Sequence, residues 1–301
     1  MSEGYWALKR LHAPLQSWLG QVILGFMLKL GVDFGLSNTD VVLVEDGSIV
    51  AKQMLKTGPA RAEALAAVLQ SLGVGPAQLG AIASTGGLSR LLPEAFEGIP
   101  VQKIGEAQAV GRGALALTGL REALVVSAGT GTAMVLARGA EAQHFTGSAV
   151  GGGTLLGLSR LLLGTADPLE VARLAAQGNP SGVDSTLVDV IGGGIGHLPP
   201  DATAVNLGRL VEVTSPSRED LAAGLVTLVG QVIAMIAINA VRAAGLSQIV
   251  IVGHLPDLKP IRQAFERVWY FYQVEPRPLI APMSGWATAY GAALCAEGRL
   301  T

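Results

Sequence analysis

The sequence predicts an α/β chain made of two similar halves, and three observations predict it. Leu28–Val44 reads as a strand hairpin and is followed by alternating strands and helices, the pattern of a layered α/β fold. The scheme restarts at Leu124–Leu136 with a strand, a glycine turn and a second strand. Glycine, 40 of 301 residues, is about twice as common as its usual ~7% and gathers at the ends of predicted strands.

Composition narrows the function classes. At about 150 residues per domain the length suggests two domains or one large one. Half of the chain is hydrophobic and 15% is charged, which excludes a disordered chain. A net charge of −2 without a basic run argues against nucleic acid as a partner. The single Cys295 excludes a disulfide framework and an intrachain cysteine-ligated metal site, and the four histidines include no HxxxH pair. These features fit a soluble protein of a reducing compartment. Residues 1–28 carry Lys9 and Arg10 ahead of an apolar stretch shorter than the about 20 residues that span a bilayer. No small-residue cleavage pattern follows, so they read as an appended surface helix or an over-long start, with Met27 an alternative initiator.

Each element has a local cause. In Leu28–Val44 two apolar runs flank a Gly/Ser/Asn turn, and Ile49–Leu55 supplies a third strand. Ala60–Leu72 is apolar at helical spacing and closes at Gly73 and Gly75. Gly80–Ala83 and Val101–Ile104 read as strands, and the alanine-rich Glu106–Leu117 as a helix between Gly105 and Gly119. In the second half the run Gly151–Gly153 precedes a helix, Asp167–Gln177 and Val183–Val190 read as two more, and 192–204 as a loop. Arg218–Ala244 is apolar almost all round, so it is a helix buried in a domain centre or a subunit interface. Ile249–Val252 is a strand ending at Gly253-His254, Pro260–Arg267 a helix, Leu279–Ala281 a strand and Thr288–Glu297 a closing helix.

The glycines suggest the chemistry. Backbone approaches phosphate closely where no Cβ intervenes, and successive N–H groups in a turn form an anion nest. Gly35–Thr39, Gly129–Thr132, Gly151–Thr154 and Gly253 have that character, although a hairpin glycine is by itself more often a structural need. No GxxxxGK[ST] loop occurs, and no GxGxxG opens a helix after the first strand. Two hydroxyl-bearing glycine hairpins, one per half, could instead grip a nucleotide's phosphates from both sides of a cleft. Asp33, at a strand end before the first turn, either caps that turn or holds Mg²⁺ beside phosphate oxygens. Glu106 is either a favourable charge at a helix N-terminus or a general base. His144 and Arg112 either reach the same cleft or are solvated surface groups.

Residues 29–295 resemble the type II pantothenate kinases of the actin/sugar-kinase/heat-shock ATPase superfamily. The likeness is strongest in AGTGTAMVL (128–136), TGSAVGGGTLLGLSRLLLG (146–164), EVARLAAQGNPSGVDSTLVDVIGG (170–193) and ATAVNLGRL (202–210). It implies a two-lobed, actin-like (ribonuclease H-like) α/β fold with the nucleotide cleft between the lobes. Residues 29–118, with the closing helix 284–299, would form the first lobe and 119–283 the second, with helical insertions. It implies ATP and Mg²⁺ as cofactors and phosphorylation of pantothenate, the first step of coenzyme A biosynthesis, by a cytoplasmic homodimer that needs neither membrane nor nucleic acid. By position, Asp33 would organise Mg²⁺ and Glu106 would be the catalytic base. Gly35, Ser37, Asn38, Gly129, Thr130, Gly131, Thr132, Gly152, Gly153 and Gly253 would hold ATP, and His144, Arg112 and Thr132 the acceptor.

The sequence departs from that family at two places. The family's first hairpin reads GGT followed by a phosphate-binding lysine, whereas GLSNTD places Leu36 and Ser37 in the hairpin and Asp40 at the lysine's position. An anion beside ATP is costly unless another cation or Mg²⁺ compensates. His144 stands where the family carries an arginine for the pantothenate carboxylate, and imidazole lacks that bidentate fork. Three alternatives follow: a nucleotide-binding relative without catalysis or with another acceptor, a sugar kinase of the same superfamily, and an activator ATPase. The last is disfavoured because its bridging iron–sulfur cluster needs more cysteines than Cys295.

Overall fold

The computed structural model describes residues 27–58 and 62–297; the helix expected within residues 1–28 lies outside them. In chain order, β1 (Leu28–Phe34), β2 (Asn38–Glu45) and β3 (Ser48–Lys56) form an antiparallel meander. Then come α1 (Ala62–Leu72), β4 (Leu79–Thr85), β5 (Ala95–Phe96), β6 (Ile99–Lys103) and α2 (Glu106–Thr118). The second half repeats the plan with β7 (Glu122–Ala128), β8 (Thr132–Arg138) and β9 (Glu141–Ser148), followed by α3 (Gly152–Leu163) and α4 (Pro168–Ala175). After β10 (Ser185–Thr186), α5 (Leu187–Ile191) and β11 (Thr203–Val205), the chain finishes with α6 (Arg218–Ala243), β12 (Ile249–Val252), α7 (Lys259–Phe271), β13 (Leu279–Ile280) and α8 (Ala287–Cys295).

The two main sheets have matching orders, β3-β2-β1-β4-β6-β5 and β9-β8-β7-β12-β13. In each, a meander's first strand pairs in parallel with the next strand of the same half, β4 or β12. Strand alternation then decides what each face covers. Leu30, Val32 and Phe34 of β1 join Val41 and Leu43 of β2 in a core with Leu65, Val68 and Leu69 of α1. The opposite face, through Val42 and Val44, meets Ala289, Tyr290 and Ala293 of α8. In the second sheet one face packs on α3, α4, α6 and α7, while Val125, Val135, Val250 and Val252 pack on Val110 and Ala114 of α2.

The layers therefore run first sheet, α8, α2, second sheet. The two middle helices touch through backbone: a Cβ on Gly113 would fall on the Ala287 carbonyl, and one on Gly291 on the Ala109 carbonyl. α6 lies in the centre of the second lobe, capped by the Ser217 hydroxyl, which accepts from the Asp220 N–H at 3.0 Å. It is long and apolar enough to cross a membrane, yet 72% of its apolar window is buried inside the chain, as a core helix requires. Of the two sequence readings for this helix, the domain centre is the one observed.

Two expectations need correction. β9 was not anticipated: Glu141–Ser148 is an exposed edge strand without apolar alternation, so its sequence carries no strand signal. Val183–Val190 is not one helix but β10 followed by the short α5. The buried Asp184 carboxylate diverts the chain there by accepting from the Leu207 N–H at 2.8 Å and the Thr203 hydroxyl at 3.0 Å.

The helix crossing is testable. Gly291→Val should destabilise the chain by at least about 1–3 kcal/mol, because backbone cannot yield to the new side chain. Gly157→Ala, in α3 with no atom near the added methyl, should instead stabilise it by about 0.5–1 kcal/mol. Thermal and urea unfolding of the two variants check both signs.

Candidate active site

Asp33 is the penultimate residue of β1. Pairing in register places Asp40 of β2 and Thr85 of β4 on either side of it, on the face that α8 covers. Glu106 opens α2 directly after the N-cap Gly105, where a negative charge is favourable. Burial raises the Asp33 carboxyl to about 7, and the neighbouring charges of Asp40 and Glu106 add to the rise, while His254 opposes it. His254 follows β12, with Nε2 3.0 Å from Asp40 Oδ1 and Nδ1 3.0 Å from Asp257 Oδ2. Burial alone would lower its pKa, but these two carboxylates raise it to about 9. Of the charges that act on Asp33, three carboxylate-bearing strands and helices thus gather around a single cation from the other lobe.

The two glycine turns meet at their tips, with the Ser37 and Thr130 hydroxyls 3.2 Å apart across 93 residues of sequence. Their carbonyls are engaged away from that contact. Gly35 O accepts from the Thr57 hydroxyl at 2.9 Å and Ser37 O from the Thr57 N–H at 3.3 Å. Gly129 O and Thr130 O each accept at 2.8 Å from the N–H groups of Gly152 and Gly153, at the start of α3. Among the described residues, no hydrogen bond engages the N–H groups of Leu36, Ser37, Thr130 or Gly131. Successive unpaired N–H groups in a turn are able to take an anion.

The expected site residues thus separate into groups. Gly35, Ser37, Asn38, Gly129, Thr130 and Gly131 belong to the two turns that meet, Asp33 stands two residues before the first of them, and Glu106 acts electrostatically on Asp33. Gly152 and Gly153 already give their N–H groups to the second turn, and the backbone there approaches so closely that a Cβ on Gly153 would meet Thr130 O at 3.0 Å. These bonds tie the start of α3 to the second turn. The Thr132 hydroxyl likewise donates to Val150 O at 2.8 Å. Gly253 has φ +99°, and a side chain there would strike the Ala128 carbonyl at the base of the second turn. His144 is exposed on β9 opposite Val135, on the sheet face against which α2 packs. Arg112 lies on α2 six residues past Glu106, and its charge acts on Cys295 together with that of Lys29.

Three participants were missed. Leu36 contributes a backbone N–H, which no side-chain pattern signals. Thr85 is fully buried beside Asp33 with its hydroxyl unpartnered. His254 was visible as a polar residue after a strand-ending glycine, but its partner stands 214 residues away. No cluster of three or more metal-ligating side chains occurs among the described residues. A carboxyl raised by burial, and further by two neighbouring carboxylates, is nevertheless a place where a cation relieves repulsion, and one protein carboxylate suits a Mg²⁺ that keeps most of its water.

Both shifted groups set the pH dependence of stability. An Asp33 raised from 3.8 to about 7 contributes fully below 3.8, and that contribution is lost as pH rises through about 7. A His254 raised from 6.5 to about 9 stabilises below 6.5 and ceases to as pH rises through about 9. The unliganded chain should therefore lose thermal stability from mildly acidic to alkaline pH. Asp33→Asn should flatten the lower part of that slope and His254→Gln the upper; calorimetry across the range reads both.

Comparison with known proteins follows the same lines. Residues 122–294 match the Fumble family model, more than half of the chain. The type II pantothenate kinase of Oceanobacillus iheyensis is 29% identical over 247 residues, covering 79% of this chain and 89% of that protein. Among solved structures, the activator of the 2-hydroxyisocaproyl-CoA dehydratase from Clostridium difficile with bound ADPNP aligns with a TM-score of 0.63 at 17% identity, over 89% of this chain and 93% of that one. A ROK family glucokinase from Streptomyces griseus, in complex with glucose and AMPPNP, aligns at 0.52 and 17% over 89% of this chain and 99% of its own. At such identities the structural likeness establishes the fold: the two-lobed, actin-like ATPase architecture.

Proposed function

The chain belongs to the Fumble family, and on that premise we propose that it is an ATP-dependent kinase that phosphorylates the primary alcohol of pantothenate. The observation that carries the reading is the pair of turns that meet through the Ser37 and Thr130 hydroxyls and leave the N–H groups of residues 36, 37, 130 and 131 unpaired. Relatives named as kinases support the reaction class, and the pantothenate kinase of Oceanobacillus iheyensis supports the acceptor.

The residues divide the work as follows. The N–H groups of Leu36, Ser37, Thr130 and Gly131 take the phosphate oxygens, which requires the Ser37 and Thr130 hydroxyls to part. Asp33 would hold a Mg²⁺, which would supply positive charge to the phosphates when bound. Glu106 accepts the proton of the acceptor hydroxyl as its oxygen bonds to the γ-phosphorus. The bond from that phosphorus to the bridging oxygen breaks, and ADP leaves with the electron pair. Positioning and charge dominate such transfers. Trapping the substrates between the lobes keeps water from competing for the phosphoryl group.

The acceptor end differs from the rest. His144, exposed on β9, offers a carboxylate an imidazole ring where a guanidinium offers a bidentate fork. That favours a second reading, a kinase of the same fold whose acceptor lacks the carboxylate. A coupled assay over pantothenate, pantetheine and amino sugars decides: turnover highest with pantothenate supports the first reading, and turnover confined to another alcohol supports the second.

Glu106→Gln should lower kcat by about 10²–10⁴ while leaving the affinity for ATP within about twofold. Single-turnover phosphoryl transfer alongside calorimetric ATP titration checks both halves, and retained turnover removes Glu106 from the role.

A further inference from the structure

Between the lobes lies a half-buried ion pair that the phosphoryl-transfer reading does not employ. His254, from the second lobe, places one ring nitrogen 3.0 Å from Asp40 of the first lobe and the other 3.0 Å from its neighbour Asp257. A neutral imidazole has a single N–H, so carboxylates on both nitrogens call for the imidazolium form. The ring cannot drift. Its edge meets Trp286, with centroids 5.1 Å apart at 81°, and any side chain at Gly285 would overlap it. Lys52 lies over the same Trp286 ring at 3.8 Å, so the wall behind the histidine is itself backed by a cation.

Asp40 is the group that makes this arrangement matter. It is 7% exposed, stands opposite Asp33 in the sheet, and is two residues past the first phosphate turn. A bare carboxylate there would repel a polyphosphate at the turn, and in a poorly solvated site that repulsion is only weakly screened. We infer that His254 is a positioning residue that cancels the charge of Asp40 from across the cleft, letting the first turn accept a polyanion and fixing the two turns opposite each other. The inference rests on the nucleotide reading of the turns and deepens it: the cation that suits this site to phosphate is lent by the other lobe.

The pair makes a prediction with opposite signs at its two ends. Binding of a nonhydrolysable ATP analogue with Mg²⁺ is measured by titration calorimetry on the full chain. His254→Gln, which leaves Asp40 uncompensated, should weaken binding at least about tenfold. Asp40→Asn alone should bind as tightly as the unaltered chain or more tightly, and in the His254→Gln background it should restore most of the loss. A latch of purely structural value would give equal losses for both single variants and no rescue, and that pattern overturns the inference. If His254→Gln does not fold, Asp40→Asn alone decides, since weakened binding there is equally fatal. Failure of the unaltered chain to bind the analogue removes the nucleotide reading and this inference with it; binding without rescue removes the inference alone.

Discussion

Everything at the site depends on two helices touching through their backbones. α8 packs on the first sheet and α2 on the second, and the glycines at their crossing, Gly113 and Gly291, leave no side chain between them. That contact sets how closely the lobes approach, and so whether the tips of two turns far apart in sequence can come within hydrogen-bond reach. It also fixes the start of α2, and with it Glu106, relative to the end of β1, where Asp33 stands. A larger residue at the crossing would wedge the lobes apart and separate groups that no local structure holds together.

The electrostatics of the cleft are those of a site awaiting positive charge. Asp33, Asp40 and Glu106 converge, and burial together with mutual repulsion holds the Asp33 carboxyl at about 7. Backbone N–H groups are the natural partners for phosphate in such surroundings, because they attract an anion without adding a titrating side chain. The first turn shows the consequence. Leu36, 75% exposed at its tip, is compatible with the proposed phosphate role, which draws on the main chain and not on the side chain.

Much of this was legible in the sequence, for identifiable reasons. The β1–β2 and β7–β8 hairpins, α6 and α2 announce themselves through apolar periodicity bounded by glycine, so their positions follow from local physics. The positions of Asp33, Glu106 and the glycine turns were readable because they stand at strand ends and at a helix start. β9 was not, since an edge strand with both faces largely in solvent needs no alternation. The stretch after Val183 read as a helix because its apolar spacing fits one, while the buried Asp184 that redirects it finds partners only in the folded chain. The His254–Asp40 pair depends wholly on how the lobes dock, and no window of sequence contains both residues.

The central claim is that phosphate lies between the two turns. A crystal structure with Mg²⁺ and a nonhydrolysable ATP analogue tests it most directly. The account predicts phosphate oxygens within hydrogen-bond distance of the main-chain nitrogens of residues 36–37 and 130–131, with the Ser37 and Thr130 hydroxyls drawn apart from their present 3.2 Å. An analogue bound elsewhere, with those hydroxyls still in contact, would contradict it.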